Sequence, residues 1–278
     1  MKSYLHISIC APDRGRQFIY AFCLLGTLLI LGSGCRTVPF TGRHQLILTT
    51  EAYENSLGVE AYGQYKEHYS VCKNTQYNAV LDRVGNALKK VAEQNDYKWE
   101  FVVLEAKVAN AFCLPGGKVA VYSGIMDIMN NEAELACVVG HEIGHALARH
   151  GGERMSWGYL RTFGTLGLIF VDTDASAIFG VGSQLGMMLP FSRKNESEAD
   201  YIGLMLMAKA GYNPKAAIHF WKRFGNHDSV VQAFFSTPPR GEKRIADLER
   251  ALPEAMELYR RAPNQRDFGE KLVHEDNN

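Results

Sequence analysis

The sequence predicts an α+β fold that is mostly helical, with a small sheet containing antiparallel strands beside one central helix. Apolar residues recur at helical spacing through much of the chain, as expected for amphipathic helices. The partial alternation of residue types that is typical of strands is confined to residues 97–122. The chain of 278 residues shows no internal repeat and is long enough to bury a single core.

The first predicted elements are two helices over residues 51–95, followed by three short strands. Residues 97–104 have strand character, because aromatic and β-branched residues partly alternate there. Residues 110–113 and 118–122 flank a Pro-Gly-Gly turn, which predicts a β-hairpin. The second of the two helices has an apolar face made of Val80, Val84, Leu88 and Val91.

A helix over residues 131–150 follows the hairpin and is the best specified element of the sequence. Asn131 is suited to cap its start, with Glu134 three residues on in the capping-box position. Gly151 and Gly152 are expected to end the helix just after His150, where a left-handed cap is favoured. The apolar stripe of this helix consists of Leu135, Val138, Val139, Ile143 and Leu147.

The same helix carries the pattern H-E-x-x-H at residues 141–145. Residues four apart lie on one helical face, so His141 and His145 are placed to bind one zinc ion together. Glu142 would then lie beside the metal and take a proton from an attacking water, as in a metallopeptidase. The alternative is two structural histidines and a surface glutamate, but a polar triplet on a buried helix is costly without a metal or hydrogen bonds.

A zinc site of this kind needs a third protein ligand. His150 is one candidate, but it lies five residues after His145, whereas the metzincin pattern requires six with an intervening glycine. We interpret His150 as a helix-end residue or as an outer hydrogen-bond donor, meaning a residue that contacts a metal ligand without binding the metal itself. Glu196 and Asp200 are better candidates, because they share a helical face while Glu198 points elsewhere. One of these two carboxylates would bind the metal, and the other would hold a ligand histidine through its free ring N–H.

Three ordered motifs resemble those of the gluzincin peptidase family that includes HtpX, BepA, the CAAX prenyl proteases and the mitochondrial Oma-type peptidase. They are N-A-F-C-L-P-G-G at residues 110–117, H-E-x-x-H at 141–145 and S-R-x-x-E-x-E-A-D at 192–200. The resemblance spans residues 36–260 and implies a gluzincin fold. It also implies one zinc ion per chain, bound by His141, His145 and Glu196, with Glu142 as general base and Asp200 in contact with a ligand.

The resemblance further implies that Asn110, Ala111 and Phe112 border the cleft as the edge of a strand. An unfolded or extended polypeptide would add to this edge through main-chain hydrogen bonds. Such pairing binds a substrate without strict demands on its sequence, which fits a peptidase of broad specificity.

One position departs from the family pattern. Relatives carry a Ser-Thr-His-Pro motif followed by an arginine six residues after the histidine; here Pro238 replaces the histidine, while Arg244 keeps its place. The resemblance implies that this histidine lies near the metal and holds the oxyanion or gates the site. We therefore expect weaker or deregulated activity, with Arg244 as a catalytic residue that stabilises the oxyanion. His227 and Tyr201 are weaker substitutes, because neither matches a motif.

Residues 1–34 predict a signal peptide of the lipoprotein type. Two arginines precede an apolar run over residues 18–31, which is too short to span a bilayer comfortably. The small residues before Cys35 resemble a bacterial lipobox, so we expect Cys35 to carry a lipid that anchors the protein to a membrane. An ordinary signal peptide or a short membrane anchor are the alternatives. A peptidase domain over residues 35–263 and a polar tail over residues 264–278, prone to disorder, would complete the chain.

These features predict a periplasm-facing lipoprotein of the bacterial cell envelope, with the outer membrane favoured over the inner. The formal net charge is zero, which argues against binding to nucleic acid. Beside Cys35, the expected mature chain has three cysteines and hence at most one internal disulfide. These three cysteines are Cys72, Cys113 and Cys137.

Two glycine-rich apolar runs, residues 163–171 and 175–189, separate the two ligand motifs. Neither is long enough for a transmembrane helix. We interpret them either as core or mobile helices, or as a lid over the zinc that contacts a membrane or a client protein.

The sequence therefore predicts a zinc-dependent endopeptidase that acts on misfolded or membrane-associated proteins in quality control. The alternative is a periplasmic chaperone or assembly factor for outer-membrane proteins, with little or no proteolysis. The replaced histidine favours the alternative. The intact Glu142 and ligand set oppose it, because a protein that only binds has no need of a general base.

Overall fold

The computed structural model describes residues 34–166, 191–224 and 241–272. The described part is mostly helical, with two small sheets, in agreement with the predicted α+β class. In chain order the elements are β1 (Cys35–Thr37), β2 (His44–Leu46), α1 (Glu51–His68), α2 (Thr75–Val91), β3 (Glu100–Leu104), β4 (Ala111–Leu114), β5 (Lys118–Tyr122), α3 (Ser123–Met126), α4 (Glu132–Leu147), α5 (His150–Leu166), α6 (Arg193–Lys209), α7 (Lys215–Phe224) and α8 (Gly241–Arg261).

The larger sheet has three strands in the order β3-β5-β4, and its middle strand is fully buried. β4 and β5 form the predicted antiparallel hairpin, with Cys113 opposite Val119. Their turn needs glycine, because Gly116 and Gly117 have φ values of +83° and +80°. β3 pairs in parallel with β5, so β4 lies at the edge of the sheet. The separate ribbon of β1 and β2 is antiparallel.

The two helices that carry the ligand motifs, α4 and α6, pack against each other through glycine. A Cβ atom added to Gly203 of α6 would lie only 2.6 Å from the backbone nitrogen of His141, and one added to Gly140 would lie 3.0 Å from the carbonyl oxygen of Gly203. No side chain fits at such distances, so the two backbones approach closely. This approach places the ligand residues of α4 and α6 side by side.

The end of the active-site helix differs from the prediction. α4 ends at Leu147, and Arg149, not a glycine, adopts the left-handed conformation with φ of +52°. The Arg149 guanidinium binds the Glu54 carboxylate and the carbonyl oxygen of Thr49, and these contacts compensate for the strained backbone. Gly151 and Gly152 lie inside α5, and His150 is its first residue. The prediction that the glycines end the helix is wrong.

Residues 264–272 also differ from the sequence expectation of a polar tail. They run back along the molecule, where Ala133 and Glu132 at the start of α4 donate backbone hydrogen bonds to Phe268 and Glu270. Leu272 is buried. The segment therefore satisfies free N–H groups at the start of the active-site helix.

Several sequence predictions fall on residues outside the described part of the chain. These are the signal peptide up to residue 33, most of the two glycine-rich runs, and the segment that contains Pro238 and His227. Their interpretations stay predictions. Within the described ranges, no helix combines the length and the apolar character needed to cross a membrane.

Candidate metal centre

Three predicted ligands converge between α4 and α6. The Nε2 atoms of His141 and His145 are 3.1 Å apart, and the Glu196 carboxylate oxygens lie 3.6 Å and 3.5 Å from them. All three side chains are buried. Ligands held tetrahedrally at about 2.0–2.1 Å from a zinc ion lie about 3.3 Å apart, so the three separations fit such an ion. The residues therefore form a site that can hold one metal ion.

Glu142 lies beside these ligands, with its Oε1 atom 4.0 Å from Nε2 of His141. Burial raises the pKa of Glu142 to about 7, the charge of Glu196 adds to this, and His141 opposes it. The backbone of Cys113 in β4 lies close enough to the Glu142 carboxylate to lower its pKa slightly. A carboxylate with a pKa near neutrality is suited to accept and return a proton at physiological pH.

The outer nitrogen of His141 contacts a carboxylate directly. Nδ1 of His141 is 2.9 Å from Oδ1 of Asp200, and Nε of Arg244 donates to the other oxygen at 2.5 Å. Burial alone would lower the pKa of His141, but Asp200 outweighs it and raises that pKa. With Nδ1 donating to Asp200, Nε2 is free to bind a metal. Asp200 thus has the predicted contact with a ligand histidine.

Arg244 occupies the space behind these groups. Its guanidinium is buried, 3.3 Å from the Glu196 carboxylate and 3.8 Å above the ring of Trp221. The structure therefore brings Arg244 to the site as a contact of Asp200 and Glu196. Its predicted catalytic role at an oxyanion stays a prediction.

His145 has a different outer contact, namely a second imidazole. Nδ1 of His145 is 2.8 Å from Nδ1 of His150, and Nε2 of His150 is 3.0 Å from the Glu198 carboxylate. Burial and the charge of His141 hold the pKa of His145 well below its usual value. Burial also lowers the pKa of His150, although Glu198 acts in the opposite direction. His150 is thus an outer contact, in line with its interpretation from the sequence.

Glu198 is a site residue that the sequence reasoning missed. The helical spacing predicted that Glu198 points away from Glu196 and Asp200, and it does so. Its carboxylate accepts hydrogen bonds from Thr41 at 2.5 Å and from Arg43 at 2.7 Å. Burial would raise the pKa of Glu198, but His150, Thr41 and Arg43 lower it to about 2. Two sequence signals could have found it: Glu198 is part of the S-R-x-x-E-x-E-A-D motif, and His150, interpreted as a hydrogen-bond donor, had no assigned acceptor.

The predicted substrate edge lies next to the site. Ala111 begins β4, and its backbone N–H is held by the side-chain oxygen of Asn110 at 3.0 Å. The ring of Phe112 contacts that of Tyr65, with centroids 4.5 Å apart. The hydroxyl of Tyr201 binds the exposed Glu254 carboxylate, which gives this weaker candidate a different partner.

Within the described residues the cysteines are all free thiols. Cys35 is exposed at the start of β1 and the other three are at least partly buried. The single disulfide that the sequence allowed does not form in this part of the chain. Lipid attachment at Cys35 stays a prediction.

Comparison with known proteins identifies several relatives of this chain. The chain is 34% identical to the mitochondrial metalloendopeptidase OMA1 of Schizosaccharomyces pombe over 87% of this chain and 74% of the relative. It is 38% identical to the protein of that name from Saccharomyces cerevisiae, over 91% and 79% of the two chains. A putative beta-barrel assembly-enhancing protease of Vibrio cholerae is 29% identical over 66% and 40%.

These relatives overturn the predicted location. The two OMA1 proteins match 87% and 91% of the chain and are named as mitochondrial, whereas the bacterial proteases match 66% and 62% of it. The predicted location, on the periplasmic side of a bacterial cell envelope, is therefore wrong. That prediction relied on a short N-terminal pattern, whereas the relatives match nearly the whole chain.

The family of the chain is shown by a match that covers the residues of this site. The model of peptidase family M48 matches residues 75–252, which include β4, both ligand helices and Arg244. The candidate ligand triad and Glu142 lie within this range, and the two relatives that match most of the chain are named as metalloendopeptidases. The chain belongs to peptidase family M48 and is a metalloendopeptidase.

Proposed function

We propose that this chain is a zinc-dependent endopeptidase that hydrolyses internal peptide bonds of extended or misfolded polypeptides in protein quality control. One observation carries the proposal: a buried triad of two imidazoles and a carboxylate, with the carboxylate of Glu142 beside it. Two neutral nitrogens and one anionic oxygen form a donor set that suits zinc in catalytic sites. When bound there, zinc would polarise the scissile carbonyl and make an attacking water more acidic.

Glu142 supplies the proton transfer in this proposal. Its carboxylate accepts a proton from the attacking water and then gives it to the amine of the departing peptide. Without a metal, burial raises the pKa of Glu142 to about 7, which suits a group that accepts and returns a proton. A protein that only binds clients would not need this buried carboxylate, so Glu142 favours the peptidase over the alternative of a chaperone.

The edge of β4 is the proposed platform for the substrate. β4 pairs with β5 on one side only within the described sheet, and the backbone of Cys113 on β4 reaches Glu142. A substrate strand laid along this edge would therefore bring its peptide bonds beside the base. The side chain of Asn110 holds the N–H of Ala111 and has to rotate away before that N–H pairs with substrate.

We assign Arg244 a positioning role in this reaction. Its guanidinium is committed to Asp200 and Glu196, so it holds one ligand directly and His141 through Asp200. Both carboxylates are buried, and their charges need this cation. Removal of Arg244 is therefore expected to loosen the metal site.

Metal analysis combined with cleavage of casein tests this function. The wild-type protein should hold close to one zinc ion per chain and cleave casein. Glu142→Gln should keep the metal while cleavage falls ~10²–10⁴-fold, as is typical when a general base is lost. Glu257→Gln, at an exposed ion pair with Arg261, is the matched control and should cleave as the wild type does.

Two outcomes would contradict the proposal. Cleavage that is unchanged in Glu142→Gln would show that another group is the base. A wild-type protein that binds zinc and unfolded polypeptide but never cleaves it would instead support the chaperone alternative.

A further inference from the structure

We propose that Arg43 is a positioning residue for the metal ligand His145, acting through Glu198 and His150. Arg43 follows the turn of the N-terminal ribbon, outside residues 75–252 that match the family model. Nε of Arg43 donates to the Glu198 carboxylate at 2.7 Å, and the other oxygen of that carboxylate accepts from Thr41. This inference rests on His145 being a metal ligand, as in the proposed function.

The positions of the protons connect the ribbon to the metal. If Nε2 of His145 binds the metal through its lone pair, the proton of that ring is on Nδ1. Nδ1 of His150 lies 2.8 Å away and must accept this proton, so the proton of His150 is on Nε2. That N–H then points at Glu198, 3.0 Å away. Glu198 therefore selects the tautomer of both rings.

The charge of Glu198 has to be held in place for this selection to work. Its side chain is only 6% exposed, and a buried carboxylate needs hydrogen-bond donors or an opposite charge. Arg43, which is 13% exposed, supplies the cation, and Thr41 supplies a hydroxyl donor. Without Arg43, Glu198 would turn towards water, and His150 would lose the acceptor that orients it.

A second branch from Arg43 reaches the other ligand helix. Its two terminal nitrogens each lie 2.8 Å from an oxygen of Glu153 on α5. Glu153 in turn accepts from the side chain of Asn195, the residue before the ligand Glu196. Arg43 thus fixes the start of α5 against the start of α6. The first branch ends at His150, which contacts the ligand His145, and the second ends at Asn195, which precedes the ligand Glu196.

Arg149 provides a matched control for this role. It also ties the N-terminal region to the turn between α4 and α5, and its side chain is 12% exposed, close to the value for Arg43. Its partners are Glu51, Glu54 and the carbonyl oxygen of Thr49, not the residues behind His145. A variant of Arg149 therefore reports the general effect of loosening the N-terminal region.

The experiment compares Arg43→Met with Arg149→Met in the full chain. Zinc release to a chelator and the visible absorption spectrum of the cobalt-substituted protein are measured, together with kcat, KM and thermal unfolding. Both variants should unfold at lower temperature. Only Arg43→Met should release zinc about 10-fold faster and shift the cobalt spectrum, since loss of an outer contact typically weakens metal binding ~10–100-fold. Its kcat should fall more than KM changes.

Three further variants keep the test decisive. Arg43→Lys should restore part of the zinc retention, because one ammonium reaches Glu198 or Glu153 but does not replace the fork of the guanidinium. If Arg43→Met fails to fold, Thr41→Val and Glu198→Gln make milder changes at the same carboxylate and should shift the cobalt spectrum in the same direction.

The inference is overturned if Arg43→Met and Arg149→Met lose stability alike while zinc release and the cobalt spectrum stay as in the wild type. A wild-type protein that binds no zinc or cobalt would instead refute the proposed ligand set, so the two failures are distinguishable.

Discussion

The two ligand histidines lie one turn apart on α4, yet their outer nitrogens are held in different ways. His141 contacts the carboxylate of Asp200 directly at 2.9 Å. His145 contacts His150 at 2.8 Å, and the carboxylate of Glu198 follows only after that second ring. Behind Asp200 is Arg244 from α8, and behind Glu198 is Arg43 from the N-terminal ribbon. One structural task, fixing a tautomer, is performed by two unrelated parts of the chain.

The different contacts of His141 and His145 shift the pKa values of the two rings in opposite directions. A direct carboxylate raises the pKa of His141, whereas burial beside other imidazoles depresses that of His145. Metal binding requires both Nε2 atoms to be unprotonated, so a metal competes with a proton at His141 up to a higher pH than at His145. His145 is ready to bind without losing a proton, but its orientation depends on a longer chain of contacts.

The largest expected effect is a difference in metal content between a variant that lacks a ligand and one that lacks only the outer contact of that ligand. His145→Ala should lose the zinc ion, because two ligands do not complete the site. His150→Ala should keep about one zinc per chain, with ~10–100-fold weaker affinity as is usual for an outer contact. Metal content after gel filtration measures the first effect, and competition with a chelator measures the second. A site emptied by His150→Ala but not by Glu196→Ala would reverse our ligand assignment.

A smaller difference is expected between the two carboxylates. Asp200→Asn leaves the buried Arg244 without its main partner and should lower the free energy of unfolding by about 3–5 kcal/mol. Glu198→Gln should lower it by about 1.5–3 kcal/mol, since Arg43 keeps Glu153 as a partner. Urea unfolding of the metal-free proteins gives both values. A greater loss in Glu198→Gln would show that the ribbon side, not the Arg244 side, is the more rigid support.

The smallest effect is a difference in pH dependence in the metal-free protein. The raised pKa of His141 contributes stability that is fully present below the unfolded value of about 6.5 and is lost as the pH rises through the folded pKa. The lowered pKa of His145 has the opposite sign: its contribution is present above about 6.5 and is lost as the pH falls.

Imidazole nitrogen NMR spectra recorded against pH would resolve these two titrations. His141 should titrate above the range of a free histidine, and His145 should stay neutral to a lower pH than a free histidine does. Titration of both rings at one common pH would contradict the expected difference between the pKa values of His141 and His145.

The ligands were predictable from sequence because their geometry is local. His141 and His145, and likewise Glu196 and Asp200, are four residues apart on a helix, so a face is implied by spacing alone. The hairpin followed from a Pro-Gly-Gly turn, whose glycines have the expected positive φ values. Local rules of this kind predicted both the helical face that carries the candidate ligands and the strand next to it.

The outer contacts on the His145 side were not predictable, because they join distant segments. Arg43 and Glu198 are 155 positions apart, and no periodicity relates them. The end of α4 was misjudged for a similar reason: contacts of Arg149 with Glu54 and Thr49 stabilise a left-handed residue where glycine was expected two positions later. Tertiary contacts outweighed the local preference in both places.

X-ray absorption at the zinc edge counts the imidazoles bound to the metal. We expect two imidazole nitrogens and carboxylate or water oxygens at about 2.0–2.1 Å from the metal. His150→Ala should leave the count of imidazoles at two, and His145→Ala should abolish the bound metal. Three imidazoles around the metal of the wild-type protein would contradict our ligand assignment, because His150 would then bind the metal itself and would not only support His145.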